Sequence, residues 1–305
     1  MTQIPNPTTP SVDIPNPNVD DEGRINIGTP GADRIPGTPG SDNIAALSND
    51  DLVAPGGGND VVALGGGNDT LNPSIGNDSA QGNRGADTMD GGAGDDCLRG
   101  GRDNDSLGGG TGNDILFGDR GDDIVRGGAG QDLVRGNLGV DFLEGNEGGD
   151  TLQGGKGSDS LDGGAGNDFL SGERGNDVLT GGAGADTFFF FYGENGTYGV
   201  DTLTDFNGGD GENADKIVLA AGPTTPEDAS FNALSGSAGG PLPADEFAVV
   251  ENFNPAAQGD NPAAIIYDPV SGLVYYNPTG TIGDEDQILR VDPNTPLTNT
   301  DFEIF

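Results

Sequence analysis

The sequence predicts an all-β fold, a parallel β-roll (β-solenoid) of 18-residue coils followed by a β-rich C-terminal cap, and three observations predict it. An aspartate recurs every nine residues, eighteen times without a gap: Asp33, Asp42, Asp51, Asp60, Asp69, Asp78, Asp87, Asp96, Asp105, Asp114, Asp123, Asp132, Asp141, Asp150, Asp159, Asp168, Asp177 and Asp186. Two positions after each one stands an apolar residue, from Ile35, Ile44 and Val62 through Leu98, Leu116, Val134 and Leu152 to Leu179 and Phe188, with only Ala80 small. Glycines crowd the residues ahead, so the phrase reads approximately Gly-Gly-x-Gly-x-Asp-x-(aliphatic)-x. Glycine turns and very short strands therefore alternate, and a chain that turns twice per circuit closes a coil of two phrases.

Composition narrows the chemistry. The 305 residues carry 58 glycines, 32% hydrophobic residues and no tryptophan, so a conventional packed core is available only where apolar residues gather, near the C-terminus. A formal charge of -39 calls for either a solvated polyanion or a partner that brings positive charge, and the regular spacing of the aspartates favours the partner. Histidine is absent, which excludes histidine-based zinc sites, Ser-His-Asp triads and Cys-His dyads. Cys97 is the single cysteine and reads as an exposed bystander thiol outside any intrachain disulfide.

Taken in order, residues 1–27 are rich in proline and asparagine and read as a disordered arm. This arm lacks the basic and apolar regions of a cleavable signal peptide, and no run reaches transmembrane length. Residues 28–190 form the roll, whose aliphatic side chains point inward from two facing parallel sheets. The aspartates fall on the two turn edges as two ladders of nine. Stacked carboxylates repel unless a cation lies between them, and an all-oxygen donor set of carboxylates and glycine carbonyls selects Ca2+ over transition metals, with Mg2+ a poorer fit. All eighteen aspartates are metal-ligand candidates, for up to about sixteen calcium ions. The core is thin enough that the repeat is expected to be disordered without them.

The array is uneven. The first glycine is replaced at Ala46, Pro55, Leu64 and Pro73, and a later turn glycine at Asn49 and Asp103. From Gly82 onward the leading glycine never fails, so Asp87 to Asp186 are the stronger metal candidates and Asp33 to Asp78 the weaker ones. Arg84, Arg102, Arg120, Lys156 and Arg174 share one edge, with Leu138 the exception. Two readings stand for them: compensation of Asp119, Glu173 and the stacked carboxylates, or a basic stripe that docks an anionic polysaccharide or lipid head group. An outward column of Cys97, Ile115, Leu133, Thr151 and Phe169 is partly apolar, to be covered by the C-terminal segment or used in self-assembly.

The phrases Asp90-Gly91-Gly92-Ala93-Gly94-Asp95-Asp96 and Asp162-Gly163-Gly164-Ala165-Gly166-Asn167-Asp168 resemble the RTX, or haemolysin-type, calcium-binding repeat. That resemblance implies a right-handed parallel β-roll with each calcium ion held between aspartates two repeats apart.

After Phe188 the pattern changes. Phe188 to Tyr192 is an aromatic run, Val200 to Phe206 and Lys216 to Ala220 alternate like strands, and Ala264 to Tyr267 with Leu273 to Tyr276 read as a hairpin about Asp268-Pro269-Val270-Ser271-Gly272. Residues 191–305 are thus predicted to cap the open end of the roll. The phrases Gly184-Ala185-Asp186-Thr187-Phe188, Val200-Asp201-Thr202-Leu203-Thr204-Asp205-Phe206 and Asn299-Thr300-Asp301-Phe302-Glu303-Ile304-Phe305 resemble the region that follows RTX arrays in secreted, often cyanobacterial, proteins. The resemblance implies type I secretion, with an uncleaved signal at the end of the chain.

The leading functional expectation is a secreted or cell-surface calcium-binding structural or matrix protein, without catalysis, that folds on calcium after export. Calcium ions and type I secretion machinery are the expected partners, with cell-surface polysaccharide or self-assembly as further ones and no nucleic acid. The alternatives are an adhesin-like module that binds anionic glycans through the basic edge, or an enzyme with a carboxylate site drawn from Asp268, Asp284, Glu285 and Asp286.

Overall fold

In the computed structural model, the described residues are 12–13, 25–192, 198–209, 211, 213–221, 240–241, 247–249, 265–276 and 286–304. They divide into two compact units, Met1–Val134 and Arg135–Phe305. Ala264, Asp284, Glu285, Phe305 and most of the arm lie outside the described residues.

In the first unit the chain alternates between two parallel sheets. One contains Val12–Asp13, Asp33–Thr38, Leu52–Gly56, Thr70–Leu71, Thr88–Ala93, Ser106–Thr111 and Ile124–Ala129; the other contains Ile25–Ile27, Asn43–Ala45, Val61–Gly66, Ser79–Arg84, Cys97–Arg102 and Ile115–Arg120. Pairing sets Met89 beside Leu107 and Leu107 beside Val125, a register of two nine-residue phrases per coil. This is the predicted parallel solenoid. The ladder begins ahead of Gly28, because Ile25–Ile27 pairs with Asn43–Ala45 and Val12–Asp13 with Asp33–Arg34.

Most strands are six residues long, longer than the very short strands predicted. They run on through the leading glycines: Asp90 pairs with Gly108 and Gly92 with Gly110, the ladder skipping Gly91 and Gly109. Glycine allows this continuation, since a Cβ on Gly110 would strike the Gly92 carbonyl. Where Pro73 removes a backbone donor, the strand splits into Thr70–Leu71 and Ser74–Ile75, both paired with Thr88–Ala93.

Within each strand the aliphatic residue is inward and its flanks face out, so Leu98 and Leu116 are fully buried while Cys97 and Ile115 are exposed.

In the second unit the repeats continue as Phe142–Glu147, Ser160–Ala165 and Val178–Ala183 in one sheet and Thr151–Lys156 and Phe169–Arg174 in the other. Residues beyond the repeat extend both sheets. Thr187–Tyr192 pairs in parallel with Lys216–Ala221, which pairs with Phe302–Ile304; Val178 and Leu179 pair with Thr202 and Leu203. The predicted strands are shorter or slightly shifted: Asp201–Leu203 within Val200 to Phe206, and Lys216–Ala221. Ile265–Asp268 and Leu273–Tyr276 form the predicted antiparallel hairpin, closed by the Gly272 N–H donating to the Asp268 carbonyl at 2.8 Å. Leu273–Tyr276 is also antiparallel to Asp286–Arg290, so the parallel stack gives way to antiparallel strands. Phe188, Ile217 and Phe302 are fully buried and continue the aliphatic column in larger side chains. Among the described residues no helix is long and apolar enough to cross a membrane.

Candidate metal centre

Most repeat aspartates are positioned by the coil that precedes them. In the first unit the backbone N–H groups of Asp33, Asp51, Asp69, Asp87 and Asp105 donate to Oδ1 of the aspartate 18 residues later, each at 2.8 Å. On the other edge Asp42, Asp60, Asp78, Asp96 and Asp114 do the same at 2.7–2.8 Å. The second unit repeats the bond from Asp141 to Asp159 and Asp159 to Asp177, and from Asp150 to Asp168 and Asp168 to Asp186, at 2.8–2.9 Å. Every one of the eighteen is at most 4% exposed. A surface carboxylate would be hydrated; these are withdrawn from water.

The other oxygen defines the site. Oδ2 of Asp87, Asp96, Asp105, Asp114, Asp159, Asp168 and Asp186 is buried and meets no hydrogen-bond donor among the described residues. Each points toward the glycine five residues earlier. A Cβ built on Gly163 would stand 2.5 Å from Asp168 Oδ2 and 2.6 Å from the Gly181 carbonyl oxygen. Gly82 is crowded in the same way by Asp87 and Gly100, Gly91 by Asp96 and Gly109, and Gly109 by Asp114 and Gly127. The leading glycine thus leaves room for a cradle in which carboxylate and carbonyl oxygens flank one small volume. Several acceptors without a donor form the environment of a hard cation. Among the described residues no three acidic, histidine or cysteine side chains converge, so a cation here draws much of its shell from backbone carbonyls.

The electrostatics agree. Burial, reinforced by the neighbouring carboxylates Asp87, Asp123 and Asp103, pushes Asp105 up to about 8. Burial likewise pushes Asp87, Asp159 and Asp168 to about 7 and Asp96 and Asp114 to about 6. The backbone N–H bond to Oδ1 opposes the rise in each and does not overcome it. These carboxylates are therefore harder to ionise than ordinary aspartates, a cost that a cation beside Oδ2 would offset.

The first six aspartates share the ladder and differ in the cradle. Asp33 and Asp42 Oδ2 each accept the backbone N–H of Thr29 and Thr38 at 2.5 Å together with the threonine hydroxyl. Asp78 Oδ2 accepts the Ser74 hydroxyl. At Asp51, Asp60 and Asp69 the cradle position is filled by Ala46, Pro55 and Leu64, all buried. Asp33, Asp42 and Asp78 thus have their Oδ2 engaged by a neighbouring hydroxyl, whereas Asp51, Asp60 and Asp69 keep a buried Oδ2 without a donor and differ from the later coils only in the side chain that stands in place of the leading glycine.

Two aspartates missed in the sequence complete the ladders. The Asp177 N–H donates to Asp201 Oδ1 at 3.0 Å and the Asp186 N–H to Asp215 Oδ1 at 2.9 Å. Asp201 is 6% and Asp215 3% exposed. The nine-residue count fails here because 24 and 29 residues separate the partners. The triplets Asp201-Thr202-Leu203 and Asp215-Lys216-Ile217, aspartate with an aliphatic two places on, were the available signal.

The remaining candidates do other things. Asp268 Oδ1 accepts the Val270 N–H at 3.0 Å and Oδ2 the Ser271 hydroxyl at 2.7 Å, which places this carboxylate in the hairpin turn. Asp286 begins a strand opposite Tyr276. Arg99 Nε lies 3.1 Å from Asp119 Oδ2 and its guanidinium lies over the Phe117 ring. Burial raises Asp119 while Arg99 and Arg120 oppose the rise; Arg135 and Arg174 act in the same way at Glu173. Of the edge cations, Arg120 and Arg174 therefore sit beside acids whose charge they offset. In the outward column, Phe169 packs on Phe189 with ring centroids 5.7 Å apart.

A search of curated proteins matched no relative. The family model described as the RTX calcium-binding nonapeptide repeat (4 copies) matches residues 27–62, 36–71, 56–79, 74–107, 108–143, 144–179 and 163–190, an overlapping series across the whole solenoid. With this match over more than half its length, and the aspartate ladders that the repeat builds, the chain belongs to the RTX family of calcium-binding repeat proteins.

Proposed function

We propose that this chain is a calcium-folded structural protein of the cell exterior, secreted or held at the surface as matrix, in which calcium rather than a large apolar core fixes the fold. The observation that carries the reading is the recurrence of a buried Oδ2 without a donor at Asp87, Asp96, Asp105, Asp114, Asp159, Asp168 and Asp186, each opposite a glycine whose missing Cβ leaves space for an ion. In this reading the twelve aspartates from Asp87 to Asp186 hold calcium. Asp33, Asp42, Asp51, Asp60, Asp69 and Asp78 belong to a metal-poor starting segment whose turns are occupied by hydroxyl or apolar side chains.

Calcium dependence suits passage across an envelope. The unfolded chain leaves a calcium-poor cytosol by type I secretion, guided by a signal within residues 191–305, and folds when it meets calcium outside. No catalytic role is assigned, and the buried apolar side chains described after the repeat, among them Phe188, Ile217 and Phe302, serve to close the roll.

Equilibrium dialysis against calcium tests the site assignment. It is expected to give about ten ions per chain rather than about sixteen. Binding of one ion or none would remove the reading. Appearance of the full chain in the medium of cells carrying a type I exporter, and its retention after deletion of residues 286–305, tests the export step.

A further inference from the structure

The turn around Asp201 repeats the geometry of a calcium-repeat turn although it lies outside the repeat. In the last repeat turn on the opposite edge, Gly184 has φ +152°, the Ala185 N–H donates to Asn167 Oδ1 at 3.0 Å, and the Thr187 N–H donates to the Asp168 carbonyl at 2.8 Å. Around Asp201 the equivalents follow one for one. Gly199 has φ +100°, the Val200 N–H donates to Asn176 Oδ1 at 2.9 Å, and the Thr202 N–H donates to the Asp177 carbonyl at 2.8 Å. A Cβ on Gly199 would strike the Gly175 carbonyl, just as one on Gly184 would strike Gly166. At the other edge the Lys216 N–H donates to the Asp186 carbonyl at 2.8 Å, which brings Asp215 into the same register.

Two independent features point to an ion at each of these rungs. Asp186, 1% exposed, has an Oδ2 without a donor; Asp177, equally buried, meets the Asp201 side chain in a carboxyl–carboxyl contact that requires a shared proton or a cation, and across the other rung Asp215 Oδ2 accepts the Asn207 N–H at 2.7 Å, which leaves Asp186 Oδ2 as the open oxygen there. The groups facing them from the adjoining strands are further carboxylates: Asp201 opposite Asp177, and Asp215 with Asp205 near Asp186. Asp205 is in register with the leading glycine of the preceding coil, and its carboxylate accepts the N–H groups of Gly181 at 2.9 Å and Gly182 at 2.7 Å.

We propose that the calcium array extends one rung beyond the repeat on each edge, with ions bound at Asp177–Asp201 and Asp186–Asp215, so that calcium fastens the post-repeat strands to the roll. The inference rests on the calcium reading above and adds ligands that lie beyond the family match, which ends at residue 190. Calcium here would tie Asp201–Leu203 and Lys216–Ala221 to the preceding coils across insertions that break the nine-residue phrase.

The test compares D201N and D215N with D105N, a variant inside the repeat, in full-length protein. Asparagine retains the Oδ1 acceptor and removes the charge. D201N and D215N are each expected to bind one calcium ion fewer, and the double variant two fewer, with β content at saturating calcium unchanged. Unaltered counts in both, with a reduced count in D105N, overturn the inference and leave the repeat assignment standing. Unaltered counts in all three overturn the repeat assignment itself.

Terbium gives a readout on the unmutated ladder should an asparagine variant fail to fold. All five tyrosines lie after the repeat, at Tyr192, Tyr198, Tyr267, Tyr275 and Tyr276, and tryptophan is absent. Tyr198 adjoins the Asp201 turn, its carbonyl accepting the Gly175 N–H at 2.8 Å. Terbium at Asp177–Asp201 is expected to emit on tyrosine excitation, and Y198F to lose most of that emission while keeping the calcium count. Emission that is absent, or indifferent to Y198F, overturns the site.

Discussion

The backbone N–H of Asp87 donates to Asp105 Oδ1 at 2.8 Å, while Asp105 Oδ2 is buried with no donor among the described residues. One carboxylate thus has two roles separated by atom. Oδ1 joins consecutive coils, and Oδ2 is available to an ion. Asp105→Asn preserves the first role and removes the charge that serves the second. D105N is expected to bind fewer calcium ions and to need several-fold more calcium to reach half-maximal folding, as read by calcium titration of circular dichroism. An unchanged midpoint would show that this carboxylate does not hold calcium.

Gly109→Ala probes the cradle from the opposite side. The added Cβ would collide with Asp114 Oδ2 and the Gly127 carbonyl, so either the ion or the backbone must yield. The variant is expected to lose one site and about 1–3 kcal/mol of calcium-saturated stability. Denaturant unfolding in saturating calcium measures the loss, and wild-type stability with a wild-type ion count would remove the cradle from the account.

Asp78→Asn supplies the contrast. Asp78 Oδ2 is already engaged by the Ser74 hydroxyl, and the strand is broken at Pro73. D78N is expected to keep the full calcium count. Loss of an ion on this substitution would extend the metal array into the early coils.

Acid should partly replace calcium. Burial first, and neighbouring carboxylates after it, raise Asp105 to about 8 and Asp87, Asp159 and Asp168 to about 7 in the folded chain, above the ordinary aspartate value of 3.8. Below about pH 4 these groups are protonated whether folded or unfolded, and their contribution to folding is fully present. As pH rises through the folded values the unfolded chain holds fewer protons, and that contribution is lost. Calcium-free protein is therefore expected to show more β structure at about pH 5 than at about pH 8. The reverse order in circular dichroism would contradict the burial of these charges.

Much of this architecture was legible in the sequence because the solenoid is written in one-dimensional periods. The nine-residue spacing of aspartates and of residues such as Leu98 and Leu116 determines which side chains stack and which turn inward. The strand lengths were not legible, since glycines that mark a turn in isolation are here paired with neighbouring coils while keeping a positive φ, as at Gly92 and Gly110. The clamps at Thr29, Thr38 and Ser74 depend on turn geometry that spacing does not encode. Asp201 and Asp215 were hidden by insertions: counting residues loses the rung, whereas pairing of Val178 with Thr202 and Thr187 with Lys216 recovers it.

The central claim is that calcium completes a fold that the chain's own side chains leave electrostatically unfavourable. Far-ultraviolet circular dichroism of the full chain, titrated with calcium from a chelated start at neutral pH, tests it most directly. The chelated chain is expected to give a largely unordered spectrum, with a cooperative gain of β signal as calcium fills the ladders from Asp87 to Asp186. A full β spectrum in chelator, unaltered by added calcium, would contradict it.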